Sequence, residues 1–215
     1  DARKSRGLGD VYKRQDEFLS KKGVINESIV STKLGLKGIP NISESISLYR
    51  DIEILNYSGG KIHIPYITTS KGVDLIREAK KNNLDITASV SLAHITFSEK
   101  DIPEFDTNYK LIPPLRSESD LNSLKEGLID GTIDYLTSMH EPFDVDNKKI
   151  VFDNASSGSI GLESVFGLMN NQFTLEKTID ILTRKKIIFE VDDHPIEIGS
   201  LADLSLFNPD KNYKF

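Results

Sequence analysis

Apolar residues recur along this chain in two periods, and the two alternate. From Pro40 to Leu55 the apolar positions Ile42, Ile46, Tyr49, Ile52 and Leu55 follow a helical spacing. Pro40 suits the first turn of that helix, where its missing N–H costs nothing. Gly59-Gly60 then breaks the chain, and the β-branched run from Lys61 to Thr68 predicts a strand. Thr69 or Ser70 is placed to cap a second helix with Val73, Ile76 and Ala79 inward. Leu84 to Val90 predicts another strand, and Pro113-Pro114 a rigid break. Ser117 to Leu128 predicts a helix, with Ser117 and Asp120 at capping-box spacing. Gly131 ends it before a strand over Thr132 to Met139. Helices at Gly161 to Met169 and Leu175 to Leu182 follow, then strand-like runs at Ile187 to Val191 and Asp203 to Phe207.

Helices alternating with strands predict parallel βαβ units, hence an α/β fold. The units are too few for a closed eight-stranded barrel and suit about half of one.

Composition narrows the reading. At 38% apolar and 28% charged residues, the chain has the balance of a soluble globular protein. No apolar run approaches a membrane span, and the first residues have no signal-peptide core. The absence of cysteine excludes disulfides, zinc–thiolate sites and thiol nucleophiles, and fits a cytoplasmic protein. A net charge of −6 argues against a nucleic-acid surface. The first fifteen residues stand apart: Asp10-Val11-Tyr12-Lys13-Arg14-Gln15 reads as a translated transposase sequencing adapter. On that reading the natural protein has an N-terminal portion upstream.

In a barrel, chemistry sits at the C-terminal ends of the strands. Three strands carry histidine there: His63, His94 and His140. Each is a candidate ligand weighed against a satisfied structural residue. His194, in Asp192-Asp193-His194-Pro195, reads as a surface turn. Leu34-Gly35-Leu36-Lys37-Gly38 lacks the third glycine of a phosphate loop, and Gly158-Ser159-Ile160-Gly161 has the wrong spacing for a nucleophile elbow.

Several strings, taken in order, resemble dihydroorotase, a member of the amidohydrolase superfamily. They are Asn26-Glu27, Ser31 to Pro40, His63 to Ser70, Asp106 to Lys110, Pro113-Pro114-Leu115-Arg116, Asp130 to Asp134, Gly161-Leu162-Glu163 and Ala202-Asp203-Leu204. Their order and spacing, not any one of them, carry the resemblance. It implies the C-terminal half of a (β/α)8 TIM-type barrel over residues 16–185. Part of a small flanking β-domain would occupy 186–215, with 1–15 as the adapter. It also implies metal-activated hydrolysis or closure of the dihydroorotate ring in pyrimidine synthesis. The family's paired-histidine motif and bridging carboxylate or modified lysine would lie upstream.

Two family positions for metal and catalysis fall inside this chain, and both depart from the pattern. Tyr66 stands where the family has its second strand histidine, a ligand, and Met139 where it has the catalytic Asp. Phe143 replaces a substrate-side histidine, Ala93 marks the same erosion, and Ile112 replaces an asparagine. His63 is three residues from Tyr66 and His140 one from Met139. On regular strands these odd offsets turn both histidines away from the ligand positions. Gly158 and Arg116 remain as low-ranked substrate-binding candidates, with a structural ion pair the favoured role of Arg116.

The expectation is therefore a dihydroorotase-like protein that is a non-catalytic scaffold or partner subunit. The resemblance suggests aspartate carbamoyltransferase as partner, and no cofactor is expected for this chain itself. The alternative is an active cyclic amidohydrolase holding zinc with upstream ligands, or a sensor that keeps a pocket without chemistry. Half a barrel also leaves strand edges uncovered, which predicts an oligomer.

Overall fold

A computed structural model of the chain describes residues 15–184, 196–202 and 204–211. The predicted run Ile187 to Val191, His194 and Asp203 lie outside the described residues.

The chain opens with α1 (Glu17–Ser20), β1 (Ile25–Asn26), α2 (Ile29–Leu34) and β2 (Gly38–Ile39). Then come α3 (Ile42–Ser58), β3 (Ile62–Ile64), α4 (Ser70–Lys81), β4 (Ile86–Ser91) and α5 (Leu92–Thr96). The remaining elements are α6 (Glu118–Asp130), β5 (Tyr135–Thr137), α7 (Val145–Lys148), α8 (Val165–Asn170) and α9 (Leu175–Thr183). Strands β3, β4 and β5 form a parallel sheet in sequence order, with His63 opposite Thr87 and Ser89 opposite Tyr135. β1 and β2 pair in parallel beside it as a separate two-stranded sheet. The expected parallel βαβ units are thus present. Among the described residues, no helix is long and apolar enough to cross a membrane.

The three-stranded sheet has two unlike faces. Ile64, Ala88, Val90 and Leu136 join Leu48, Leu55, Val73, Ile76, Leu124, Leu128 and Ile181 in one buried apolar cluster with the helices. Alternation turns His63, Thr87, Ser89, Ser91, Tyr135 and Thr137 to the opposite, polar face.

α4 forms as expected: Thr69 caps it by accepting from the Gly72 N–H, and Val73, Ile76 and Ala79 are buried. α6 is capped by Ser117, but only half of the capping box is made. The Asp120 carboxylate accepts from the Ser117 hydroxyl at 2.5 Å and the Ser70 N–H at 2.8 Å, not from the Ser117 N–H. Gly131 terminates α6 at φ 80°, and a Cβ there would meet nothing within 4 Å. Its requirement is conformational, so Gly131→Ala should cost about 1–2 kcal/mol, read as a lowered urea midpoint at unchanged slope.

Other expectations are corrected. The strand expected over Lys61 to Thr68 is only Ile62–Ile64, because Pro65 offers no N–H to the ladder and Tyr66 turns left-handed at φ 55°. The strand expected over Thr132 to Met139 is Tyr135–Thr137, and Met139 is likewise left-handed at φ 47°. The helix expected from Gly161 begins at Val165. Residues 204–207 form no strand. Pro40 precedes the cap of α3 and does not sit in its first turn.

The largest correction concerns α3. Its period is as expected, but its inner face is Ser43, Glu44, Ser47, Leu48, Asp51 and Leu55. Ile42, Ile46 and Tyr49 face solvent. The inner face is polar because it seats the start of α4. Glu44, 1% exposed, accepts from the Thr68 and Thr69 backbone N–H groups and both hydroxyls, at 2.5–3.2 Å. A carboxylate at a helix N-terminus meets the unpaired donors and the positive end of the dipole.

Candidate functional site

The sequence places chemistry where β3, β4 and β5 end. The chain after β3 bends at Tyr66, and the chain after β5 bends at Met139, each in the left-handed region. For side chains of this size that conformation costs about 1–2 kcal/mol, and it persists only where the surroundings impose it. Strand alternation therefore does not relate His63 to Tyr66 or His140 to Met139, since both strands stop short of these residues.

At those positions the side chains are poor donors for a metal. Burial raises the pKa of the Tyr66 phenol and the Glu141 carboxylate raises it further, so the side chain is neutral near pH 7. Met139 is 3% exposed and offers a thioether.

Each described histidine is engaged elsewhere. His63 lies on the polar face of the sheet. Its Nδ1 is 2.8 Å from Thr87 Oγ1, its Nε2 is 2.9 Å from the Tyr135 hydroxyl and 3.2 Å from Ser89 Oγ, and its ring stacks on Tyr135. His94 is 2% exposed. Its Nε2–H donates to the Pro113 carbonyl at 3.0 Å, and its Nδ1 accepts from the Ser91 hydroxyl at 2.6 Å. Burial lowers its pKa from 6.5 to about 4, opposed by the Pro113 carbonyl and assisted by the Arg116 charge. His140 is exposed, and its Nδ1 accepts from the Gly161 and Leu162 N–H groups at 3.3 and 3.4 Å. Among the described residues no group of three or more His, Asp or Glu could hold a metal ion.

The two substrate-binding candidates are not brought together. Gly158 lines a pocket of about 790 Å³ beyond the ends of β4 and β5, walled by Leu92, Phe97, Leu111, Phe143 and Lys148. A Cβ at Gly158 would lie 2.7 Å from both the Glu141 carbonyl and the Phe143 ring, so only glycine fits. Its N–H donates to the Lys110 carbonyl at 3.0 Å, and its carbonyl accepts from Lys148 Nζ at 2.6 Å. Arg116 is outside that lining and 3% exposed. Its guanidinium donates to Asn26 Oδ1 at 2.6 Å, the Ile39 carbonyl at 2.7 Å and Thr68 Oγ1 at 3.2 Å. Burial lowers its pKa, while Glu44, Asp120 and Glu99 counter that shift. Asn26 in turn donates to Glu99. This network ties β1, β2, α3, α4 and α6 together.

Two functional groupings escape sequence reasoning. The His63–Thr87–Ser89–Tyr135 cluster has a signal, the alternation Ile86-Thr87-Ala88-Ser89-Val90-Ser91. The Glu44–Arg116–Asp120 network has none, because its members are far apart in the chain.

A parallel sheet with helices on one face and a polar face opposite is the arrangement of part of a β/α barrel. L-Hydantoinase from Arthrobacter aurescens superposes with a TM-score of 0.68 at 20% identity, covering 84% of this chain and 46% of that one. Dihydroorotase from Saccharomyces cerevisiae, solved with 5-fluoroorotic acid, gives 0.60 at 17% identity, covering 70% of this chain and 44% of that one. In sequence the chain is similar to curated dihydroorotases. It is 38% identical over 208 residues to a dihydroorotase of Caldanaerobacter subterraneus, covering 93% of this chain. It is 37% identical over 204 residues to one of Listeria innocua, covering 92% of this chain. The chain spans about half the length, 48%, of each of these curated relatives. No protein-family model matches it.

Proposed function

We propose that the protein is a dihydroorotase-like member of pyrimidine biosynthesis acting as a non-catalytic scaffold or partner subunit. The observation that carries this reading is the pair Tyr66 and Met139. Both stand in the left-handed region just past a strand end, and both present groups unsuited to a metal. A phenol held neutral is no anionic ligand, and a thioether is not among the thiolate, imidazole and carboxylate donors that zinc takes. His63 and His94 have both ring nitrogens engaged, and His140 has one. No hydrolytic step is assigned to these residues. By family analogy the partner is aspartate carbamoyltransferase. Co-sedimentation of the full-length protein with that enzyme is expected to give a stable complex; two independent species would contradict the scaffold role.

The identity to curated dihydroorotases favours a second reading: an active cyclic amidohydrolase whose zinc is held by residues upstream. An intact His-x-His-x-Arg motif there would support it, and its loss would remove the ligand set.

A further inference from the structure

The walls of the pocket beyond β4 and β5 come from two segments, 92–115 and 138–168, and every residue of both is described. At about 790 Å³ it has the size of a small-ligand site. The rings of Phe97, Tyr109 and Phe143 line it, with Phe97 and Tyr109 packed edge to face at 5.4 Å between centroids. Lys148 fastens the two segments together. Its Nζ donates to the Thr107 carbonyl at 3.0 Å and the Gly158 carbonyl at 2.6 Å, and its own carbonyl accepts from the Thr107 hydroxyl at 2.5 Å. Both acceptors of the ammonium are neutral, and among the described residues it forms no ion pair. Burial lowers its pKa, with the Lys110 charge assisting and the Asp106 charge countering. A partly desolvated cation held by carbonyl dipoles keeps a strong attraction for an anion. Lys149 adds a second cation to the lining, and Glu141 a carboxylate.

We propose that this pocket binds an aromatic monocarboxylate, its ring against Phe97, Tyr109 and Phe143 and its carboxylate on Lys148. The three rings select the body, since aromatic pairs gain more than their buried area alone supplies. The charges select the head. Two lysines against one carboxylate favour a single added negative charge, and Glu141 repels a second. Polar dianions are thereby disfavoured twice, by the rings and by Glu141. The site is preorganised, because the hydrogen bonds of Lys148 hold its ammonium at the wall before any ligand arrives. This binding does not depend on the partner complex proposed above, so either can fail alone.

The test is calorimetric titration of the full-length protein with 1-naphthylacetate, its neutral amide 1-naphthylacetamide, and N-carbamoyl-aspartate. The wild type is expected to bind the acid about tenfold more tightly than the amide, the effect of one charge-assisted hydrogen bond. It should bind N-carbamoyl-aspartate at least about tenfold more weakly than the acid. Lys148→Met should bring the acid down to the level of the amide and leave the amide unchanged, and Lys148→Arg should keep most of the preference. The ratio of the two affinities decides, because loosening the fastened segments would weaken acid and amide alike. Phe143→Ala should weaken both together. Absence of acid binding by the folded wild type, equal affinity for acid and amide, or tighter binding of N-carbamoyl-aspartate would each overturn the proposal. So would a Lys148→Met variant that loses both ligands equally, or a Phe143→Ala variant that loses neither.

Discussion

Replacing Arg116 with methionine is expected to destabilise the fold by about 3–5 kcal/mol, the usual cost of removing one partner from a buried charge network. The guanidinium is buried among Glu44, Glu99 and Asp120, and its donors reach β1, β2 and the turn before α4. Methionine fills much of the volume but leaves the carboxylates without their cation and the Ile39 carbonyl without a donor. Lysine should rescue only part of the loss, because one ammonium cannot reproduce a guanidinium that donates from both Nε and Nη1. Urea unfolding of the full-length protein measures both variants. A loss below about 1 kcal/mol for Arg116→Met would mean that the network contributes little beyond packing.

Acidification should destabilise the protein between pH 6.5 and about 4, and His94 is the cause. Folded, its pKa is lowered to about 4 by burial, with Arg116 assisting and the Pro113 carbonyl opposing. Unfolded, it returns to its ordinary value near 6.5. Within that window the unfolded chain holds a proton that the folded chain does not, so stability rises with pH there and is lost as pH falls. Crossing the whole window removes about 3 kcal/mol. The contribution is complete above pH 6.5. Urea midpoints from pH 7 down to 4.5 should show this acid limb. His94→Gln, which keeps a donor for Pro113, should flatten it. An unchanged slope in that variant would assign the limb to other groups. Arg116→Met should also shorten the His94 component of the limb and end it at higher pH, since losing the charge that opposes protonation raises the folded pKa toward the unfolded value.

What the sequence makes legible follows from the range of each interaction. α4 is readable because its cap, Thr69, and its inward positions Val73, Ile76 and Ala79 are local and periodic. The alternation in Ile86–Ser91 likewise marks β4 as a strand with unlike faces. β1 and β2 are two residues each, too short for any period to show. α3 misleads for a physical reason. Apolar spacing is normally the buried face, but here only Ile52 and Leu55 of the expected stripe turn inward, the buried face also seats Glu44 and Asp51, and Ile42, Ile46 and Tyr49 point outward. The site divides in the same way. That Tyr66 and Met139 lack ligand chemistry is visible in the residues themselves. That both are left-handed, and that His63 and His140 have been drawn into other hydrogen bonds, depends on contacts made across the fold.

On the scaffold reading the substituted positions leave no working metal centre. Bound zinc and dihydroorotate hydrolysis, measured on one sample of the purified full-length protein, test this most directly. No stoichiometric zinc and no turnover above the buffer rate are expected, with or without added zinc. Stoichiometric zinc accompanied by turnover would contradict it.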